Sequence, residues 1–179
     1  MEDWNVVVSV RDDEYKRARG LLREFGPVGP TEFFNVLVMK VADIHAFVES
    51  LRERLALEPQ QLECLGRVMP LTHCFVFQSA EEFEGKARET VMSWLPVLAG
   101  KTFHVRMHRR GFKGRLSGQD EERFFGHMLI ERLKAEGAPG GISFDDPDVI
   151  VAVETVGQRA GLSLWSRAER NLYPFLRLD

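Results

Sequence analysis

The sequence predicts a mixed α+β protein in two units, and three observations lead there. Short β-branched or apolar runs alternate with helical periodicities from residue 5 onward, so strands and helices interleave. A new helix start, Ser79-Ala80-Glu81-Glu82, follows the third strand-like region and opens a second series of helices and strands, placing a boundary near residue 78. A length of 179 residues suits two domains, 1–78 and 79–179, each of roughly 80 to 100 residues.

In the first unit, Asn5 to Val10 (NVVVSV) reads as a strand. Asp12-Asp13-Glu14 places negative charge at the start of a helix, and Tyr15, Ala18, Leu21, Leu22 and Phe25 follow at helical spacing. Gly26-Pro27-Val28-Gly29-Pro30 stops that helix. Phe33 to Lys40 is a second strand, and Asp43 caps a second helix with Ile44, Phe47, Val48, Leu51 and Leu55 in one stripe. Leu65 to Phe77 has strand character broken by Pro70, the mark of an edge or a bend. Strand, helix, strand, helix, strand resembles a small ferredoxin-like unit.

The second unit opens with a helix burying Phe83, Ala87, Val91, Trp94, Leu95 and Leu98, ended by Gly100. A strand from Lys101 follows, then a helix behind Ser117 with Phe124, Phe125, Met128, Leu129 and Leu133 on its apolar side. Gly137-Ala138-Pro139-Gly140-Gly141 closes that helix. Val149 to Val156 (VIVAVETV) has the continuous apolar pattern of a strand buried on both faces. Gly157-Gln158 supplies a two-residue turn, and Ala160 to Ser166 returns antiparallel.

Composition narrows the function. The chain is 44% hydrophobic with thirteen Phe, which fills real cores and excludes a disordered chain. It has no apolar run of eighteen residues and no basic-then-apolar leader at Glu2-Asp3-Trp4. Cys64 and Cys74 lack CxxC spacing, so the expectation is a reduced, cytoplasmic protein with two buried structural thiols and no membrane contact.

Charge supplies the sharpest signal. Lys101 to Arg115 (KTFHVRMHRRGFKGR) holds six Lys/Arg, namely Lys101, Arg106, Arg109, Arg110, Lys113 and Arg115, with His104 and His108 and no acidic residue. The whole chain has 24 basic and 27 acidic side chains, which leaves 18 against 27 elsewhere, a patch of +6 on a body of −9. Holding like charges together points to an anionic partner. The structural alternative is a solvated charged face. Phe103, Val105 and Met107 alternate with His104, Arg106 and His108, so one face of the strand packs while the other offers cations. Arg109-Arg110-Gly111-Phe112-Lys113-Gly114-Arg115 then enters a two-glycine loop with the character of a phosphate-contacting surface.

Other chemistry is poorly supported. Asp145, Asp146 and Asp148 around Pro147 are ordinary turn residues, and with Glu154 they match no calcium-loop spacing. His104 and His108 fall on one strand face about 13 Å apart, too far to share an ion. Nothing near Cys64 lowers a thiol pKa. The glycines at 111, 114 and 118 form no phosphate-loop or dinucleotide fingerprint, and Ser163 has no nucleophile-elbow context. The expectation is a non-catalytic protein without metal or cofactor.

The ordered blocks FHVRMHRRGFKG, a helix from Ser117, ISFDDPDVIVAVETVG, GLSLWSR and YPFL resemble a THUMP domain over residues 79 to 179, with the first 78 standing where that family carries a ferredoxin-like domain. The resemblance implies RNA binding, chiefly of the acceptor stem and 3′ end of tRNA, in proteins of tRNA modification. Such domains are usually fused to a catalytic domain, and this chain ends at Asp179. Its layout is therefore similar to stand-alone THUMP adaptors that present tRNA to a cytidine acetyltransferase. Carried over by position, Lys101, Arg106, His108, Arg109, Arg110, Lys113 and Arg115 would contact phosphates, joined by Arg123, Arg167 and Arg170. Such contacts position RNA without reading its sequence, DNA is not expected, and Phe112 either stacks on a base or tucks into its own core. Two other functions stay open: a protein–protein module with a basic docking face, and a small enzyme acting on a phosphorylated metabolite.

Overall fold

The computed structural model describes residues 1–177. The fold class is the mixed α+β arrangement with two sheets that the sequence predicts. No helix among the described residues is long and apolar enough to cross a membrane.

The first unit comprises Met1–Thr72 and the C-terminal segment from Arg170. Its strands are β1 (Val6–Val10), β2 (Val28–Pro30), β3 (Val36–Met39) and β4 (Leu65–Pro70), and its main helices are α1 (Tyr15–Leu22) and α2 (Ile44–Leu57). The sheet order β2-β3-β1-β4, antiparallel throughout, is that of a ferredoxin-like fold. β2 is the strand that the sequence reading took for a helix stop. Its three residues sit at the sheet edge, where Pro30 has no ladder bond to donate. Asp43 caps α2 as expected, its carboxylate accepting from the Ala46 amide at 2.9 Å.

The second unit is His73–Glu169. It contains β5 (His73–Val76), α3 (Ala80–Met92), the single turn α4 (Leu95–Leu98), β6 (Thr102–Arg110), α5 (Gly118–Ala135), β7 (Gly141–Ile142), β8 (Val149–Val156) and β9 (Arg159–Ser166). The last helix, α6 (Arg167–Leu172), spans the end of this unit and the return to the first. The sheet is mixed, ordered β5-β9-β8-β6-β7, with β6 parallel to both its neighbours. Phe83, Ala87 and Val91 of α3 and Phe125, Leu129 and Leu133 of α5 pack on Phe103, Val105, Val151 and Val153 to form its core.

Three expectations shift. The region 65–77 is two strands in two sheets: β4 ends at Pro70, and β5 pairs with β9. The chain accordingly passes between units at Thr72, where the sequence reading placed the boundary at 78, and crosses back at Arg170. There the Val68 amide donates to the Phe175 carbonyl at 2.9 Å and the Tyr173 hydroxyl donates to Glu49, so the aromatic tail belongs to the first unit. Finally, the helix expected to run from Ala80 to Leu98 breaks after Met92, because Pro96 has no N–H to continue the ladder.

The cysteines differ. Cys64 is buried and its thiol donates to the Gln61 carbonyl, whereas Cys74 on the edge strand β5 is only half-buried. Both were expected inside.

Candidate nucleic-acid interface

β6 forms where the sequence placed it because its side chains divide cleanly. Phe103, Val105 and Met107 are buried under α3 and α5, while His104, Arg106 and His108 occupy the other face, half-buried. A nine-residue strand at about 3.3 Å per residue separates its ends by roughly 26 Å. The six cations adjacent in sequence therefore do not make one patch.

The start of β6 and its far end have different surroundings. Lys101 precedes the strand and is exposed. Near it, Asp148 accepts from the Thr102 amide at 2.9 Å and hydroxyl at 3.0 Å, bonds that hold its carboxyl below the usual range. Arg167 stands at this same end, bound to Asp146 at 2.8 Å and Asp148 at 3.0 Å. The aspartate turn is thus an anchor for the first residue after β9. Arg170 falls in the first unit.

At the far end, Arg110 is in register with Val156 of β8, which pairs with Arg159 of β9. Successive strand residues face opposite ways, so Arg109 and Arg110 do not share a face. Arg110 bonds the Glu154 carboxylate at 2.6 Å, and His108 Nδ1 lies 3.5 Å from the same group. Glu154 is fully buried, and the parallel pairing of β6 with β8 sets it directly beside His108. An acidic partner absent from the basic stretch is thereby supplied by the strand alongside.

Arg109 and the loop make the exposed cationic end. The Arg109 guanidinium donates to the Gly111 carbonyl, and Lys113 and Arg115 are exposed. Among the described residues none of these three forms an ion pair. Gly111 has φ +94, and a Cβ there would stand 3.0 Å from the Gly157 Cα, so the loop and the β8–β9 turn meet backbone to backbone. Phe112, at φ +53, turns inward: its ring lies 5.1 Å from Phe77, and the Arg115 guanidinium sits 5.4 Å over it. That is the core-packing alternative of the two considered for this residue.

α5 begins beside the loop. The Ser117 hydroxyl accepts from the Asp120 amide at 3.4 Å. β7 pairs only with Thr102 and Phe103, which leaves the later edge of β6 open. Glu122 covers part of it, accepting from the Met107 amide at 2.7 Å and lying 3.5 Å from Arg106. Arg123, one residue on, is exposed and 3.7 Å from Asp120. Its groove is another one, of about 310 Å³, shared with His104, His127 and Phe144.

An open groove of about 700 Å³ runs between the loop and the start of α5, lined by Arg106, Arg109 and Arg115 and by Glu84 and Glu121. Sequence reading missed the two glutamates. Burial, with Glu84 beside it, pushes the Glu121 carboxyl up to about 8. It missed the role of Glu154 as well. A lone glutamate inside an otherwise apolar strand was the available signal, since such a group requires a buried partner.

No protein-family model and no curated protein matches the sequence. Solved structures do. TrmN from Thermus thermophilus shares the fold at a TM-score of 0.59 and 18% identity over 90% of this chain. The Pyrococcus horikoshii Ot3 protein PH1313 does so at 0.58 and 10% over 90%. A 4-thiouridine synthetase solved in complex with RNA and ATP gives 0.54 and 10% over 89%. This chain spans 44%, 54% and 40% of those three chains, respectively. At such identities the likeness is one of fold, and it supports a THUMP-like fold.

Proposed function

We propose that this protein is a non-catalytic RNA-binding module that grips tRNA and presents it to a separate modifying enzyme, such as a cytidine acetyltransferase. The observation that carries the reading is the far end of β6, where Arg109, Lys113 and Arg115 form no ion pair among the described residues beside the start of an 18-residue helix. Unpaired cations at a helix N-terminus attract phosphates. The fold likeness to a 4-thiouridine synthetase seen with RNA is consistent with that ligand. Burial raises the Cys64 thiol, opposite to what a nucleophilic cysteine needs, which favours placing the chemistry on a separate enzyme.

The test is a titration with bulk tRNA and a length-matched unstructured RNA at two salt concentrations. tRNA is expected to bind more tightly and with strong salt dependence. Arg109→Glu/Lys113→Glu/Arg115→Glu should weaken binding roughly 30-fold or more and flatten the log K against log salt slope by about 2, near 0.7–0.9 per lost contact. Unchanged affinity and slope in the folded variant would remove these residues from the interface. Arg110 is left alone because reversing it would set a second carboxylate against Glu154.

A further inference from the structure

We propose that the groove beside the β2–β3 loop of the first unit takes a second copy of this chain, the Phe34 ring of each copy seated in the groove of the other. Phe34 is 84% exposed, more than any other large hydrophobic side chain among the described residues. The loop that carries it is not slack. The Thr31 hydroxyl accepts from the Phe33 amide at 3.1 Å and donates to the Val36 carbonyl at 2.9 Å, and the Val36 amide donates to the Phe33 carbonyl at 3.3 Å. Asn35 stands at φ +53, a region that asparagine tolerates, and is tied twice. Its carbonyl accepts from the Val10 amide at 2.8 Å, and its side chain donates to Asp12 at 2.6 Å. A ring presented on an ordered loop loses little further freedom when a partner covers it, which suits an interface anchor.

The groove is open, of about 790 Å³, and Phe34 is itself one of its walls, with Tyr15 and Phe33. A surface that carries both knob and hole is complementary to itself about a two-fold axis, and such a contact closes as a pair. Facing aromatic rings add their edge-to-face attraction.

The charges select the occupant. Asp13, Lys16 and Glu32 line the same groove and form no ion pair among the described residues, whereas neighbouring Glu14 lies 3.5 Å from Arg17. A nucleic acid would meet two carboxylates here, which sets this surface apart from the RNA-binding one. A wholly basic protein surface would meet Lys16. A second copy brings both signs to the same place, so that Lys16 of each copy has Glu32 of the other to pair with.

The experiment is analytical ultracentrifugation of the full chain, without RNA. Over about 2 to 200 µM at low salt, the weight-average mass is expected to rise from 20.5 kDa toward twice that value, as fits a small interface. Phe34→Ser alters only an exposed side chain, keeps the fold, and should weaken association about 10-fold or more. Lys16→Glu should weaken it about 5-fold, and Lys16→Glu/Glu32→Lys should restore it to within about 3-fold of the parent. A chain that stays monomeric at the highest concentration overturns this inference and assigns the groove to a different protein. A dimer that persists in folded Phe34→Ser overturns the location. Failure of the charge swap to restore association, or a mass that climbs past the dimer, overturns the two-fold arrangement.

Discussion

Glu154→Ala is expected to destabilise the second unit by about 3 kcal/mol, read as a lower urea midpoint with the slope unchanged. Glu154 is fully buried in the centre of the sheet and accepts from Arg110 at 2.6 Å, with His108 Nδ1 3.5 Å away. Arg110 is itself largely covered, its side chain only 14% exposed. Deleting the carboxylate takes from a covered guanidinium the acceptor it bonds at 2.6 Å, and its desolvation is then poorly compensated. Glu154→Gln keeps an acceptor oxygen and should lose roughly half as much, whereas Glu154→Leu/Arg110→Met, removing both charges, should come within about 1 kcal/mol of the parent. A loss below about 0.5 kcal/mol for Glu154→Ala would mean that Arg110 finds water or another acceptor, returning it to the pool of cations available for RNA.

That pair also marks where sequence reading stopped. Runs with local causes were legible: β8 has its predicted bounds, Ser79 and Asp43 cap their helices, and the alternation along β6 sorts its residues as expected. The Gly157-Gln158 turn joins strands whose register pairs Val156 with Arg159. Features set by distant partners were hidden. Nothing local tells that His108 pairs with Glu154 across 46 residues, or that β5 joins β9 and not β4. β2 was missed because three residues containing Gly and Pro carry no strand pattern.

The basic stretch shows the same limit in its electrostatics. Charges counted along a sequence are weighted equally, yet a strand lays them over about 26 Å and turns alternate ones to opposite faces. Lys101 and Arg167 end up at one end of the sheet, with Arg167 held by two aspartates, while Arg109, Lys113 and Arg115 stand unpaired at the other. The run of one sign in the sequence was real; its concentration was not. What the fold leaves is a smaller, directed cationic end made by Arg109, Lys113 and Arg115.

Stability is expected to fall as pH rises from about 5 to 9, by on the order of 3 kcal/mol, and Glu121→Gln should abolish that fall. The sign follows from the titration of one group. Burial first, then the charge of Glu84, raises the Glu121 carboxyl from 4.5 to about 8 in the folded chain. Below pH 4.5 folded and unfolded chains both hold this proton, and its contribution is fully present. Between 4.5 and 8 the unfolded chain releases it while the folded chain keeps it, so each step up in pH favours unfolding. Above 8 the loss is complete. At 1.36 kcal/mol per pH unit the full displacement is worth roughly 5 kcal/mol, reduced because the half-buried Glu84 is partly screened by solvent. Carboxylates shifted the other way, among them Glu49 with Tyr173 and Asp148 with Thr102, lose their contributions only as pH falls below the ordinary carboxylate range, so the two effects occupy different windows. Urea midpoints at pH 5, 7 and 9 for the parent and Glu121→Gln separate them: the parent curve should slope down and the variant should stay flat. Parallel curves would show that Glu121 is already ionised at neutral pH beside Glu84, and that their carboxylates do not share a proton.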